Sequence, residues 1–152
     1  MGKARNLANV PNAPIFSAHR ATTNQSLTSG VVTKIQCQTE EVDSASAYDN
    51  ATNYRFQPQV AGWYQINATL YVQGATMTTI GVYLHKNGSS AKAGNVIGLG
   101  GGTQASAVAN ALIYLNGSSD YVEMHGLAYG MTLEVLAGAN LTYFQGHLVK
   151  AA

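Results

Sequence analysis

The chain has 152 residues, enough for one domain with a buried core. Charged side chains make up only 10% of it and the net charge is +1, against roughly 25% charged residues in ordinary soluble proteins. Neither nucleic acid nor an acidic membrane surface is therefore attracted to it electrostatically. Its single cysteine, Cys37, excludes an internal disulfide or a thiolate metal cluster within one chain, and no apolar run approaches the ~18 residues of a membrane span.

Polarity comes instead from Asn, Gln, Ser and Thr. Such a surface hydrogen-bonds neutral partners, sugars or another copy of the chain, and salt screens it little. Residues 1–14 read as an extended leader, because Pro11 and Pro14 suppress helix. Lys3 and Arg5 near its start precede no apolar segment, so the opening does not read as a secretory signal and the chain is expected to be made in a cytoplasm.

Short strands follow. In the stretch from Val31 to Thr39, Ile35, Cys37 and Thr39 share one face, which makes Cys37 a small buried apolar side chain rather than a reactive thiol. From Gly62, Tyr64, Ile66, Ala68, Leu70 and Val72 point one way, while Trp63, Gln65, Asn67, Thr69 and Tyr71 point the other. Ile80, Val82 and Leu84 repeat the alternation against Gly81, Tyr83 and His85. Asn87-Gly88-Ser89-Ser90 is a hairpin signal, and residues 104–115 resume the pattern, with Leu112 and Tyr114 opposite Ala111, Ile113 and Leu115. Asn116-Gly117-Ser118-Ser119 is expected to form a second, similar turn. Tyr121–Leu127, Thr132–Leu136 and Leu141–Val149 read as the later strands. With no helical periodicity, the pattern predicts an all-β sandwich. The second faces carry Trp63, Tyr71, Tyr83, Tyr114 and Tyr121, large rings with polar tips, and these five are expected to be covered by other subunits.

Phe56, Gly62, Tyr64 and Ile66, with Pro58 between, resemble the Phe-x5-Gly-x-Tyr strand of the globular head of the first complement component's recognition subunit, a family related to tumour necrosis factor. Asp43, Tyr48, Asp49 and Asn50 resemble its approach to that strand. Leu115 to Asp120-Tyr121-Val122 resembles its Leu…Gly-Asp-x-Val hairpin, with Ser119 in place of the usual glycine. Phe144-Gln-Gly146-His-Leu148 resembles its last strand and Pro14–Ala18 its first. Ile66 stands where the family usually has Phe, and the common histidine after that strand is missing. The resemblance implies a ten-stranded antiparallel jelly roll over residues 15–149 that forms a compact homotrimer, with ligands at the apex or flanks.

Animal members usually follow a secretory signal and a Gly-X-Y stalk, neither of which is visible here. Gly2-Lys-Ala-Arg-Asn-Leu-Ala8 also resembles openings of structural proteins of aquatic phages. The expectation is therefore a non-enzymatic bacteriophage virion protein, the head of a tail fibre or a capsid decoration, made in the host cytoplasm and released by lysis. Its leader would dock on other virion proteins, and its head would bind host surface glycan or stabilise the shell. The alternative is a secreted lectin-like or signalling ligand of the same superfamily.

No catalytic motif is present, and no cofactor is expected except calcium, for which Asp43, Asp49 and Asp120 are the candidate donors. His85 and His125, the latter sharing a face with Glu123, would meet their copies around a threefold axis, either as a metal site or as interface hydrogen bonds. Gly98-Leu-Gly-Gly-Gly-Thr103 lacks the Lys-Ser/Thr of a phosphate loop and reads as a flexible connection. Asn95, Thr103, Gln104 and His125 are the candidate ligand-facing residues.

Overall fold

The computed structural model describes residues 13–152; most of the expected leader, residues 1–12, lies outside them. Ten strands run β1 (Ile15–His19), β2 (Gln25–Ser26), β3 (Thr33–Lys34), β4 (Thr39–Asp43), β5 (Tyr48–Asp49), β6 (Arg55–Phe56), β7 (Gly62–Lys86), β8 (Ser89–Leu115), β9 (Val122–Val135) and β10 (Tyr143–Ala151). Every pairing is antiparallel, and no helix occurs among the described residues.

The long hairpin of β7 and β8 organises the molecule. Residues 62–69 of β7 lie between β10 and residues 108–115 of β8, Val72 and Gln73 lie between Val135 and Glu134 of β9 and residues 104–105 of β8, and β1 and β4 extend this layer beyond β10. Residues 79–86 lie between β9 and residues 89–98 of β8, while β2, β3 and β6 pair with β9. The two layers are thus joined by the bent strands β7 and β8, with β9 following β7 across the bend. The sequence pattern suggested separate strands at 62–72 and 80–85. The backbone instead bends without breaking, by register shifts between Gln73 and Thr79 and a left-handed Thr76 (φ 51°). The glycine run 98–102 is the matching bend of β8, within the strand rather than a loop, with Gly101 left-handed (φ 89°).

Period-two alternation puts one side of each layer inside. Tyr64, Ile66 and Leu70 from one layer and Ile80, Leu84 and Met124 from the other are fully buried in a common core. Phe16 of β1 stacks on Phe56 of β6 at 4.2 Å and meets Phe144 edge-on at 4.9 Å, so the aromatic positions that carry the resemblance hold the layers together. Buried hydroxyls are satisfied: Tyr64 donates to the Val60 carbonyl (2.7 Å) and Tyr48 to that of Cys37 (2.9 Å).

The first Asn-Gly signal makes a two-residue hairpin, with Asn87 (φ 53°) and Gly88 (φ 78°) both left-handed between the paired Lys86 and Ser89. The second does not. Asn116 Oδ1 accepts the backbone N–H groups of Ser118, Ser119 and Asp120, capping a loop that carries the chain from the first layer to β9 in the second. Identical dipeptides diverge because only the first is flanked by strands that pair with each other. Hydrogen bonding continues on both sides of residues 15–149. The Ala13 carbonyl accepts a hydrogen bond from Ser44 Oγ, the Pro14 carbonyl accepts one from the Leu148 N–H, and β10 continues to Ala151.

Candidate functional site

The outer side of the first layer is unusually apolar. Trp63, Val108, Leu112 and Tyr114 face solvent from the β7–β8 hairpin, with Ile15, Val42 and Val149 around them. Together these are more than half of the exposed large apolar side chains among the described residues. Trp63, 45% exposed, stands edge-on to Tyr114 at 5.7 Å, and Leu112 beside them is 48% exposed. Between this cluster and Val108, the registered row Gln145–Asn67–Asn110 makes an amide-rich centre. Tyr71 lies farther along the same face, its hydroxyl on Gln104 Oε1 at 3.3 Å.

Tyr83 and Tyr121 are elsewhere. Tyr83 projects from the outer side of the second layer, in register with His125. Tyr121 lies beneath the Arg55 guanidinium, 4.3 Å from its ring centre. The five aromatic residues therefore divide between two surfaces, three on the first and two on the second.

The candidate calcium ligands are engaged in turns. Asp43 accepts the N–H groups of Ala45 and Tyr48. Asp49 accepts those of Ala51 and Thr52 and the Asn53 amide. These bonds, the Thr52 N–H foremost, hold the Asp49 carboxyl down at about 2. Asp120 receives Lys86 Nζ at 2.7 Å, the Asn87 amide and the Asn116 N–H, which hold it below the ordinary carboxylate range. No three His, Cys, Asp or Glu side chains converge as a metal site among the described residues. Each Asp is thus a turn-former that accepts two or three hydrogen bonds.

His85 and His125 find each other within one chain, stacked at 3.8 Å and 16°. Both Nδ1 atoms are buried without a hydrogen-bond partner. Burial, then His85 and Lys34, push His125 down to about 4, so this imidazole is neutral at physiological pH. Glu123 beside them is buried and bound to Lys34 Nζ at 2.5 Å. Burial pushes the Cys37 thiol up to about 12, leaving it an inert core side chain.

A polar groove of about 640 Å³ opens where β7, β8 and β9 bend. Thr103 and Gln104 line it with Ser26, Gln73 and Glu134, over a floor that includes Leu27 and Leu133. Two of the four candidate ligand residues are therefore brought together. Of the others, Asn95 accepts the Val108 N–H at 2.6 Å within β8, and His125 belongs to the histidine stack. Gln73 and Glu134 were not legible as site residues, since single amides and carboxylates carry no motif.

No protein-family model and no curated protein matches this sequence. Solved structures do. The chain is similar to the globular domain of zebrafish complement 1qA protein (TM-score 0.69, 15% identity, 92% of this chain and 99% of that one). The two folds are the same. It is similar too to Eiger TNF from S. frugiperda (0.72, 11%, 93% and 96%) and to murine APRIL (0.69, 10%, 90% and 99%). At these identities the likeness establishes the jelly-roll fold of the complement heads and tumour necrosis factors.

Proposed function

We propose that this protein is a non-enzymatic recognition module that works as a homotrimer, in the manner of a complement-head or tumour-necrosis-factor ligand domain. The observation that carries the reading is the outer face of the first layer. Trp63, Leu112 and Tyr114 cluster in water on a stiff sheet, at positions where a soluble monomer would place polar side chains. A stable interface covers about 800 Å² per partner, and a five-stranded face is large enough to supply it. Three copies around one axis would also bring the amide-rich row of Asn67, Asn110 and Gln145 against its equivalents, where hydrogen bonds fix register. Native mass spectrometry tests this: wild type is expected as three chains, and Leu112→Lys, which adds a charge to an exposed monomer site, as one. A wild-type monomer overturns the reading.

The fold likeness favours a ligand of complement-head or tumour-necrosis-factor type, whether lectin-like or signalling. The likeness of residues 2–8 to phage openings favours the other setting, a virion surface where the head decorates a capsid or tips a tail fibre, with the leader bound to another virion protein. Immunogold labelling separates them. Label on purified phage particles supports the virion setting, and label confined to a secreting cell or its medium supports the ligand setting.

A further inference from the structure

The groove at the strand bends has the chemistry of a sugar site. Glu134 Oε2 accepts hydrogen bonds from Gln73 Nε2 (2.9 Å) and Asn24 Nδ2 (3.2 Å), which fix the carboxylate in place. No described residue takes its Oε1. Those two amides, Gln73 foremost, hold the carboxyl below its ordinary range, so it is ionised at any physiological pH. Gln104 Oε1 accepts the Tyr71 hydroxyl, which fixes the amide and leaves its NH₂ as a donor. Ser26 and Thr103 add hydroxyls at the groove wall, and Leu27 and Leu133 form an apolar strip beneath. Gly74 lets the groove wall pack closely, because a Cβ there would lie 2.8 Å from Leu133 Cδ2 and 2.9 Å from the Met131 carbonyl oxygen.

Two threonines at the strand bends, Thr76 of β7 (φ 51°) and Thr132 of β9 (φ 49°), hold left-handed backbone. β-Branched residues adopt it only where the surroundings impose it, and such strain concentrates at functional positions. The volume lies within the ~300–1,000 Å³ of small-ligand sites. A fixed carboxylate, fixed amides and hydroxyls over an apolar strip match the paired hydroxyls and C–H face of a hexose. No basic side chain lines the groove, so sialic or uronic acids would face Glu134 uncompensated.

We propose that this groove binds an uncharged hexose unit of a glycan. The inference deepens the recognition reading by naming its ligand. It rests on one chain only, so it stands or falls separately from trimerisation.

The test is saturation-transfer NMR with titration of maltotriose, galactobiose and N,N′-diacetylchitobiose, with sialyllactose as the anionic comparator. At least one neutral probe is expected to saturate with a dissociation constant of about 1–10 mM. Glu134→Ala and Gln104→Ala should each weaken it by about tenfold, with near-ultraviolet circular dichroism unchanged. The monomeric Leu112→Lys variant should retain it. Failure of all three neutral probes to saturate, tighter binding of sialyllactose, or unchanged affinity in both groove variants would overturn the assignment, whatever the oligomeric state.

Discussion

Replacing Gly62 by alanine should destabilise the fold severely, and the reason lies in one close approach. A Cβ at Gly62 would lie 2.4 Å from the Lys150 carbonyl oxygen, 2.7 Å from Leu148 Cδ1 and 3.0 Å from Ala151 Cα. Two of these atoms are backbone of the paired strand and cannot rotate away. Ordinary contact begins near 3.4 Å, so β10 must move by about 1 Å, which disturbs its pairing at Lys150↔Trp63 and Ala151↔Gly62. One or two weakened backbone hydrogen bonds at about 1 kcal/mol each, plus overpacking of about 1–3 kcal/mol, give roughly 2–5 kcal/mol. For a chain of this size that is a fall of about 4–20 °C in melting temperature. The control is Gly98→Ala, where an added Cβ meets nothing within 4 Å and the effect should stay within about 0.5 kcal/mol. Differential scanning calorimetry of both variants, at the same chain concentration as wild type, decides the matter. Equal melting temperatures for the two variants would refute the account of how β10 closes on β7.

Further outcomes follow from the charged and titrating groups. His125 titrates near 4 when folded, held down by burial, His85 and Lys34, against ~6.5 in an unfolded chain. Between those values only the unfolded chain binds the proton, so stability is full above pH 6.5 and is lost as pH falls toward 4. His125→Phe should remove on the order of 2 kcal/mol of that loss; parallel stability–pH curves for the two proteins would contradict it. Asp49, depressed to about 2, contributes stability above its unfolded value near 3.9 that is lost as pH falls through about 2. Asp49→Asn should therefore flatten the acid limb of a melting–pH series between those values, and an unaltered limb counts against the turn assignment. Lys34→Met strands the buried Glu123 carboxylate and should cost about 3 kcal/mol in urea denaturation. Adding Glu123→Gln should recover at least half of that; full additivity in the double mutant would show that the pair is not coupled.

How far the sequence spoke depended on the range of the interactions. Alternation from Tyr64 to Val72 and from Ile80 to Leu84 was readable because a strand's inside and outside are local, period-two facts. The Phe56–Gly62–Tyr64 group was readable because its rings and its glycine contact are demanded by one packing site. Whether a turn closes a hairpin was not, since Asn87-Gly88 and Asn116-Gly117 differ only in which distant strands flank them. Nor was the division of the aromatics, because assigning Tyr83 and Trp63 to different layers requires knowing that β7 bends near Thr76. The turn roles of the acidic residues were hidden for a related reason: Asp43, Asp49 and Asp120 offer donor oxygens in sequence, and only the fold brings neighbouring N–H groups and Lys86 onto them. The groove was half legible. Thr103 and Gln104 stood out beside a glycine run, whereas Glu134 acquires its role only through Gln73 and Asn24, 61 and 110 residues away.

Sedimentation equilibrium of the wild-type chain at micromolar concentration bears most directly on the proposal that the Trp63–Leu112–Tyr114 face is a subunit interface. A single species of three times the chain mass, reduced to one by Leu112→Lys with the fold intact, is the predicted result. A wild-type protein that stays at one chain mass across that range would contradict it.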